Sequence, residues 1–172
     1  MVRSDWSSDV CSSDLEAMEK EMPEVASAVR IHRTKGNAFF QCGEKKFYEN
    51  NLLWADSAFF TMFSFGLTRG NHTNVLEKPY SIVLTESTAA KYFGNEDPIG
   101  KTLLFNGNKK YLVTGICRDI PSNSHIKFDL LASFNTLEEE SRPGYFEDWG
   151  SLSYRTYILL AENAKAESIK SK

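Results

Sequence analysis

Gly94 to Thr102, GNEDPIGKT, ends in the Gly-Lys-Thr of a phosphate-binding loop and is the closest approach in this chain to a nucleotide cradle. Its two glycines are separated by five residues, whereas that loop needs four. Phosphate loops also run from a strand into a helix, so that backbone N–H groups and the helix dipole face the anion. Here a helical pattern precedes the loop and a strand pattern follows it, and Glu96 and Asp97 would repel phosphate. The stretch reads as a turn. Ser87, His125 and Asp97 have the types of a hydrolytic triad, but Ser87 falls in a first helical turn without the Gly-x-Ser-x-Gly elbow that exposes a nucleophile. His32, His72 and His125 lack His-x-x-x-His spacing, and no cysteine pair is close enough to complete a zinc site. Glu138-Glu139-Glu140 reads as a solvated loop or helix end. No catalytic, cofactor-binding or metal residue is assigned, and no cofactor is expected.

The elements that surround these residues begin after an unusual leader. Asp5 to Leu15, DWSSDVCSSDL, matches the translation of a common sequencing adapter over eleven consecutive residues. Residues 1–15 are therefore set aside as an artefactual, disordered segment, polar and without apolar period. The domain is expected over residues 16–172, as a fragment truncated at both ends. Of the 172 residues, 41% are hydrophobic and 13% aromatic, enough for a real core. The net charge is −3; residues 1–15 hold one Arg and three Asp, so the remainder carries −1. That balance offers no basic face for nucleic acid. No apolar run approaches the ~20 residues of a membrane span. Cys42 and Cys117, which remain once Cys11 is set aside, read as free thiols.

Glu16 to Met22 reads as a helix tail stopped by Pro23. Val25 to Gln41 and Lys45 to Trp54 read as two long strands of a hairpin around Gly43. Asp56 is the expected N-cap of a short aromatic helix through Phe63. Thr68 to Lys78 reads as a loop. Ser81 to Leu84 is a buried strand, and Thr85 offers an N-cap for a helix from Glu86 to Phe93 that closes at Gly94. Lys101–Asn106 and Lys109–Arg118 pair across Gly107-Asn108. Ile126, Phe128, Leu130, Ala132 and Phe134 alternate on one face of a further strand. Trp149-Gly150 ends an acidic loop, Tyr154 to Leu160 is the last strand, and a last helix starts at Asn163 or Ala164. The class is α+β, a mostly antiparallel or mixed sheet with short helices. It leaves room for two subdomains, one porter-like and one an inserted β-rich unit.

Three blocks in order, ADSAFFTMFSF, SIVLTESTAAKYFGNEDPIGKTL and YLVTGICRDIPSNSHIKFDLLASF, resemble the MacB-like periplasmic core domain of bacterial ABC-transporter permeases of the MacB/FtsX type. The resemblance runs from about Trp54 to Leu160. It implies no catalytic residue; Gly94, Pro98, Gly100 and Pro121 match positions that shape turns. It implies an extracytoplasmic, periplasmic domain of an inner-membrane protein that couples ATP-driven helix motion to substrate or partner proteins. The implied partners are the parent's transmembrane helices and a cytoplasmic ABC ATPase, with a periplasmic membrane-fusion protein as a further candidate. The hairpin from Val25 to Trp54 is the expected lever. The alternatives are a secreted ligand- or protein-binding module without membrane segments and, more remotely, a hydrolase using Ser87 or His125.

Overall fold

The computed structural model describes residues 3–6, 22–34, 36–141, 154–161 and 164. Strands are β1 (Arg3–Trp6), β2 (Val25–Arg33), β3 (Ala38–Cys42), β4 (Lys45–Glu49), β5 (Leu52–Ala55), β6 (Leu67–Arg69), β7 (Ser81–Thr85), β8 (Thr102–Phe105), β9 (Lys109–Cys117), β10 (Leu130–Ser133) and β11 (Tyr154–Leu160). Helices are α1 (Phe59–Met62), α2 (Glu86–Phe93) and α3 (Phe134–Glu140). Among the described residues all eleven strands join one sheet, in the order β1-β11-β2-β5-β10-β7-β9-β8-β3-β4, with β6 also on β9. The β5–β10 and β7–β9 pairs are parallel and the rest antiparallel, so the sheet is mixed and the class is α+β. The β-rich part, β8-β3-β4, continues the same sheet through β9.

The middle of the sheet is buried on both faces, and the sequence shows why. Every residue of β5, β7 and β10 is buried, as expected for unbroken runs such as SIVLT and LLAS. Successive side chains then point to opposite faces. Leu52, Trp54, Ile82, Leu84, Leu130 and Ala132 enter one core, under Ala89, Tyr92 and Phe93 of α2 and Phe134 of α3. Leu53, Ala55, Val83 and Leu131 enter the other, under Phe59, Phe60 and Met62 of α1 with Phe128, Val75 and Leu76. Helix α2 is set by local chemistry. The Thr85 hydroxyl accepts from Thr88 N at 3.4 Å, Glu86 sits in the first turn, and Gly94 closes the helix at φ 62°.

Several local expectations change. The hairpin from Val25 to Trp54 is split: β2 and β5 pair at its base, β3 and β4 at its tip, with a break at Gly36 and Asn50-Asn51. Asp56 does not cap α1, whose N-cap is Ala58 without a side-chain bond; its carboxylate is taken by Arg30. Thr68 to Lys78 is not a plain loop, since β6 pairs with β9 and Val75 and Leu76 are fully buried. The strand from Ile126 to Phe134 shortens to Leu130–Ser133. A bend at Asp129, where Asn51 Nδ2 donates to the carboxylate at 2.9 Å, sends Ile126 and Phe128 to the core opposite Leu130 and Ala132. The β8–β9 turn centres on Asn106-Gly107, both at positive φ, one residue earlier than expected.

The segment set aside at residues 1–15 also departs from expectation. Arg3–Trp6 forms β1, paired with Thr156 to Leu159 of β11, which corrects the expectation of disorder at those four residues. A sheet edge recruits a neighbour through backbone N–H and C=O groups, so the side-chain sequence constrains such pairing weakly. The rest of that segment lies outside the described residues. So do the helix tail expected at 16–22, the loop ending at Trp149-Gly150 and the last helix, apart from Met22 and Ala164.

Candidate functional site

The residues that could have done chemistry are held apart, each by its own partner. Ser87 Oγ donates to Asp119 Oδ1 at 2.7 Å and its backbone N–H to the same oxygen at 3.0 Å, so Ser87 braces the start of α2. Asp97 takes a two-point bond from Arg69 at 2.8 and 2.9 Å and a third from Ile99 N. The backbone bond to Ile99, then Arg69, holds its carboxyl below the usual range. The His125 ring lies against Tyr157. These three do not form a triad. His72 Nδ1 lies 3.4 Å from Phe60 O, and His32 sits in β2. Lys101 pairs with Glu96, and its loop follows α2 and enters β8, the element order opposite to a phosphate loop. Among the described residues no group of three or more His, Cys, Asp or Glu could hold a metal.

Cys42 and Cys117 are free thiols. Burial, then the charge of Asp119, pushes the Cys117 thiol up to about 12, which leaves it unreactive near neutrality.

What the fold does build is a continuous structural path from one end of the sheet to the other. Toward one end β2 and β11 lie side by side, with β11 next to the edge strand β1. Val25 pairs with Leu160, and Ala161 N donates to Glu24 O at 2.9 Å. Val25, Ala28 and Ile158, with Met22 and Leu160 packed against them, make a small core of their own there.

Five residues along β2, Arg30 fastens the strand to its neighbours. Its Nε and Nη2 donate to the two oxygens of Asp56 at 3.0 and 2.7 Å, and its own backbone N–H donates to Asp56 Oδ2 at 2.7 Å. Nη1 reaches Glu138 Oε1 at 2.7 Å, and the guanidinium stacks 4.1 Å over the Phe134 ring. Burial alone would lower the Arg30 pKa, but the Asp56 and Glu138 contacts outweigh it and the net direction is upward. The Glu138-Glu139-Glu140 run sits at the C-terminal end of α3, where the dipole disfavours negative charge and no basic residue occupies the last turn. Arg30 and Lys109, which pairs with Glu140, supply that charge from other elements.

At the far end the hairpin tip is docked rather than projecting. β3 pairs with β8, and Lys45 Nζ donates to Tyr92 O at 2.9 Å and Lys91 O at 3.3 Å, satisfying carbonyls at the end of α2. The buried Glu49 accepts from Lys91 Nζ at 2.8 Å and Tyr92 OH at 2.7 Å. Burial, then the Glu49 bond, raises the Tyr92 pKa. No side chain at this end was foreseen, because each bond joins residues more than 40 positions apart.

Among the described residues no helix is long and apolar enough to cross a membrane. The chain superposes on a domain of a permease protein from Porphyromonas gingivalis with a TM-score of 0.79 at 26% identity, covering 96% of this chain and 68% of that one. It is similar in fold to the periplasmic region of MacB from Actinobacillus actinomycetemcomitans, with a TM-score of 0.70 at 19% identity over 99% of this chain and 71% of the other. The extracellular domain of the noncanonic ABC-type transporter YknZ from Gram-positive bacteria gives 0.64 at 16% identity over 94% and 77%. Comparison with curated proteins gives no match. The model of the MacB-like periplasmic core domain matches residues 2–172, and the chain belongs to that family.

Proposed function

We propose that this domain is the non-catalytic, extracytoplasmic part of a bacterial inner-membrane ABC-transporter permease, and that it couples ATP-driven motion of membrane helices to substrate or partner proteins. The ATPase would act from the cytoplasmic side, and a periplasmic membrane-fusion protein is a candidate partner on the outer side. Export and translocation of lipoproteins, peptides or antibiotics all fit this reading.

The observation that carries it is the junction of β2 and β11. A displacement applied at Met22–Val25 or Leu160–Ala161 reaches two adjacent, hydrogen-bonded strands of one sheet. Arg30 then ties β2 to β5 and α3, and the doubly buried middle strands lead on to β8-β3-β4. Close-packed interiors transmit strain rather than absorb it. The expected lever is thereby revised from a projecting hairpin to the whole sheet.

A disulfide across the junction tests whether the two strands travel together. Ser27 and Leu159 are cross-strand partners, so their Cα atoms lie within the ~4.4–6.8 Å that a disulfide spans. In the full-length permease with Cys42 replaced by Ser, the pair Ser27→Cys and Leu159→Cys should cross-link without loss of ATP hydrolysis by the reconstituted permease–ATPase complex. Turnover that stops on oxidation and returns on reduction would mean that the strands must part, and would remove the basis of the proposal.

A further inference from the structure

A cleft of about 190 Å³ opens on the Leu53 face of the sheet, between β2, β5, β11 and the turn that carries His125 and Ile126. Its apolar walls include Ile31, Leu53 and Ile126, and its polar groups include Arg33, Arg155 and His125. Among the described residues no acidic side chain lines it. On the β2–β11 ladder Arg155 is the partner of Ile31, which places Arg33 on the diagonal of the same face, with Cβ atoms roughly 7–8 Å apart. Both arginines are exposed. Arg33 spends one donor on Lys127 O at 2.9 Å. The Arg155 side chain makes no hydrogen bond or ion pair among the described residues.

Two other arginines are closely paired, Arg30 with Asp56 and Glu138 and Arg69 with Asp97, whereas the exposed Arg118 lies outside this cleft. Two arginines lining one cleft, with no carboxylate among its described lining residues, leave donors and positive potential for an incoming anion. The planar fork of arginine matches a carboxylate in two-point geometry. Ile31, Leu53 and Ile126 lie beside that point and suit an apolar body attached to the anion. The cleft is smaller than the ~300–1,000 Å³ of drug-sized sites, so the body is a single side chain in size.

We propose that this cleft binds an organic carboxylate bearing one aromatic or branched aliphatic group, held by Arg155 and Arg33 over Ile31, Leu53 and Ile126. The same chemistry is offered by a free carboxylic acid and by the last residue of a peptide. The site does not rest on the coupling reading, because its recognition needs no membrane or ATPase.

Titration calorimetry of the chain with N-acetylphenylalanine, its carboxamide, and a pentapeptide ending in Phe with a free or amidated terminus tests it. The free carboxylate should bind at least ~10-fold more tightly than the amide, since loss of charge removes the charge-assisted bonds. Arg155→Gln and Arg33→Gln should each weaken binding by about 10-fold, while Lys46→Gln on the remote strand β4 should leave it unchanged. Peptide binding that needs the free terminus assigns the site to chain ends, and binding by N-acetylphenylalanine alone assigns it to free acids. Equal binding of acid and amide, no binding of any probe, or full affinity in both arginine variants would overturn the proposal.

Discussion

Replacing Arg30 by Ala is expected to cost about 3–5 kcal/mol of stability, the range for removing one partner of a buried ion pair. The mechanism is the charge left behind. Asp56 is 13% exposed at its side chain and would keep its carboxylate with only the Arg30 backbone N–H as donor. Glu138, at 42%, is wet enough to contribute little of the loss. The Phe134 ring would also lose the cation stacked at 4.1 Å. For a chain of this size the loss corresponds to a melting temperature lower by on the order of 10 °C. Arg30→Lys should fall in between, because a single ammonium cannot hold both Asp56 oxygens and Glu138 together. Chemical denaturation of the three proteins checks this, and a loss below about 1 kcal/mol in Arg30→Ala would show that the cluster is not a structural fastening.

The second large effect is expected at Gly70. Its φ is +101°, and a Cβ there would meet Thr114 O and Val75 Cγ1 at 2.7 Å each and Gly115 Cα at 3.1 Å. Backbone strain of about 1–3 kcal/mol and overpacking of similar size then act together. The missing side chain lets β6 and the buried Val75–Leu76 turn lie close on β9, where Thr114 Oγ1 donates to Val75 O at 2.6 Å. Gly94 is the control: its φ is +62° but a Cβ would meet nothing within 4 Å. Gly94→Ala should therefore cost only the conformational strain, about 1–3 kcal/mol, and Gly70→Ala that strain plus the overpacking, roughly 1–3 kcal/mol more. Equal unfolding midpoints for the two variants would refute the close-packing account.

The features legible in the sequence are those decided within one turn of chain. Thr85, Glu86 and Gly94 specify α2 through neighbours at most four residues away, and the α+β class follows from alternating patterns. Arg30 carried no such signal, since its partners lie 26 and 108 positions distant. Asp56 has the right type and place for an N-cap, yet a guanidinium and a strand N–H outbid the helix end for its oxygens. The apparent strand from Ile126 to Phe134 keeps perfect alternation across a bend, because each side of the sheet has a core to receive it. Gly70 looked like an ordinary loop glycine; only the approach of β9 makes it essential. The family resemblance was readable from the turn-forming blocks, whereas the junction of β2 with β11 joins segments more than 120 residues apart.

That junction bears the central claim, that motion enters the domain through β2 and β11 and is passed on by a stiff sheet. A flexible Gly-Gly-Ser-Gly insertion immediately after Ala161, made in the full-length permease, separates β11 from whatever follows it without touching the sheet. ATP hydrolysis and transport measured together in the reconstituted complex are predicted to uncouple, with hydrolysis continuing and transport lost. Unchanged transport with unchanged hydrolysis would contradict the account.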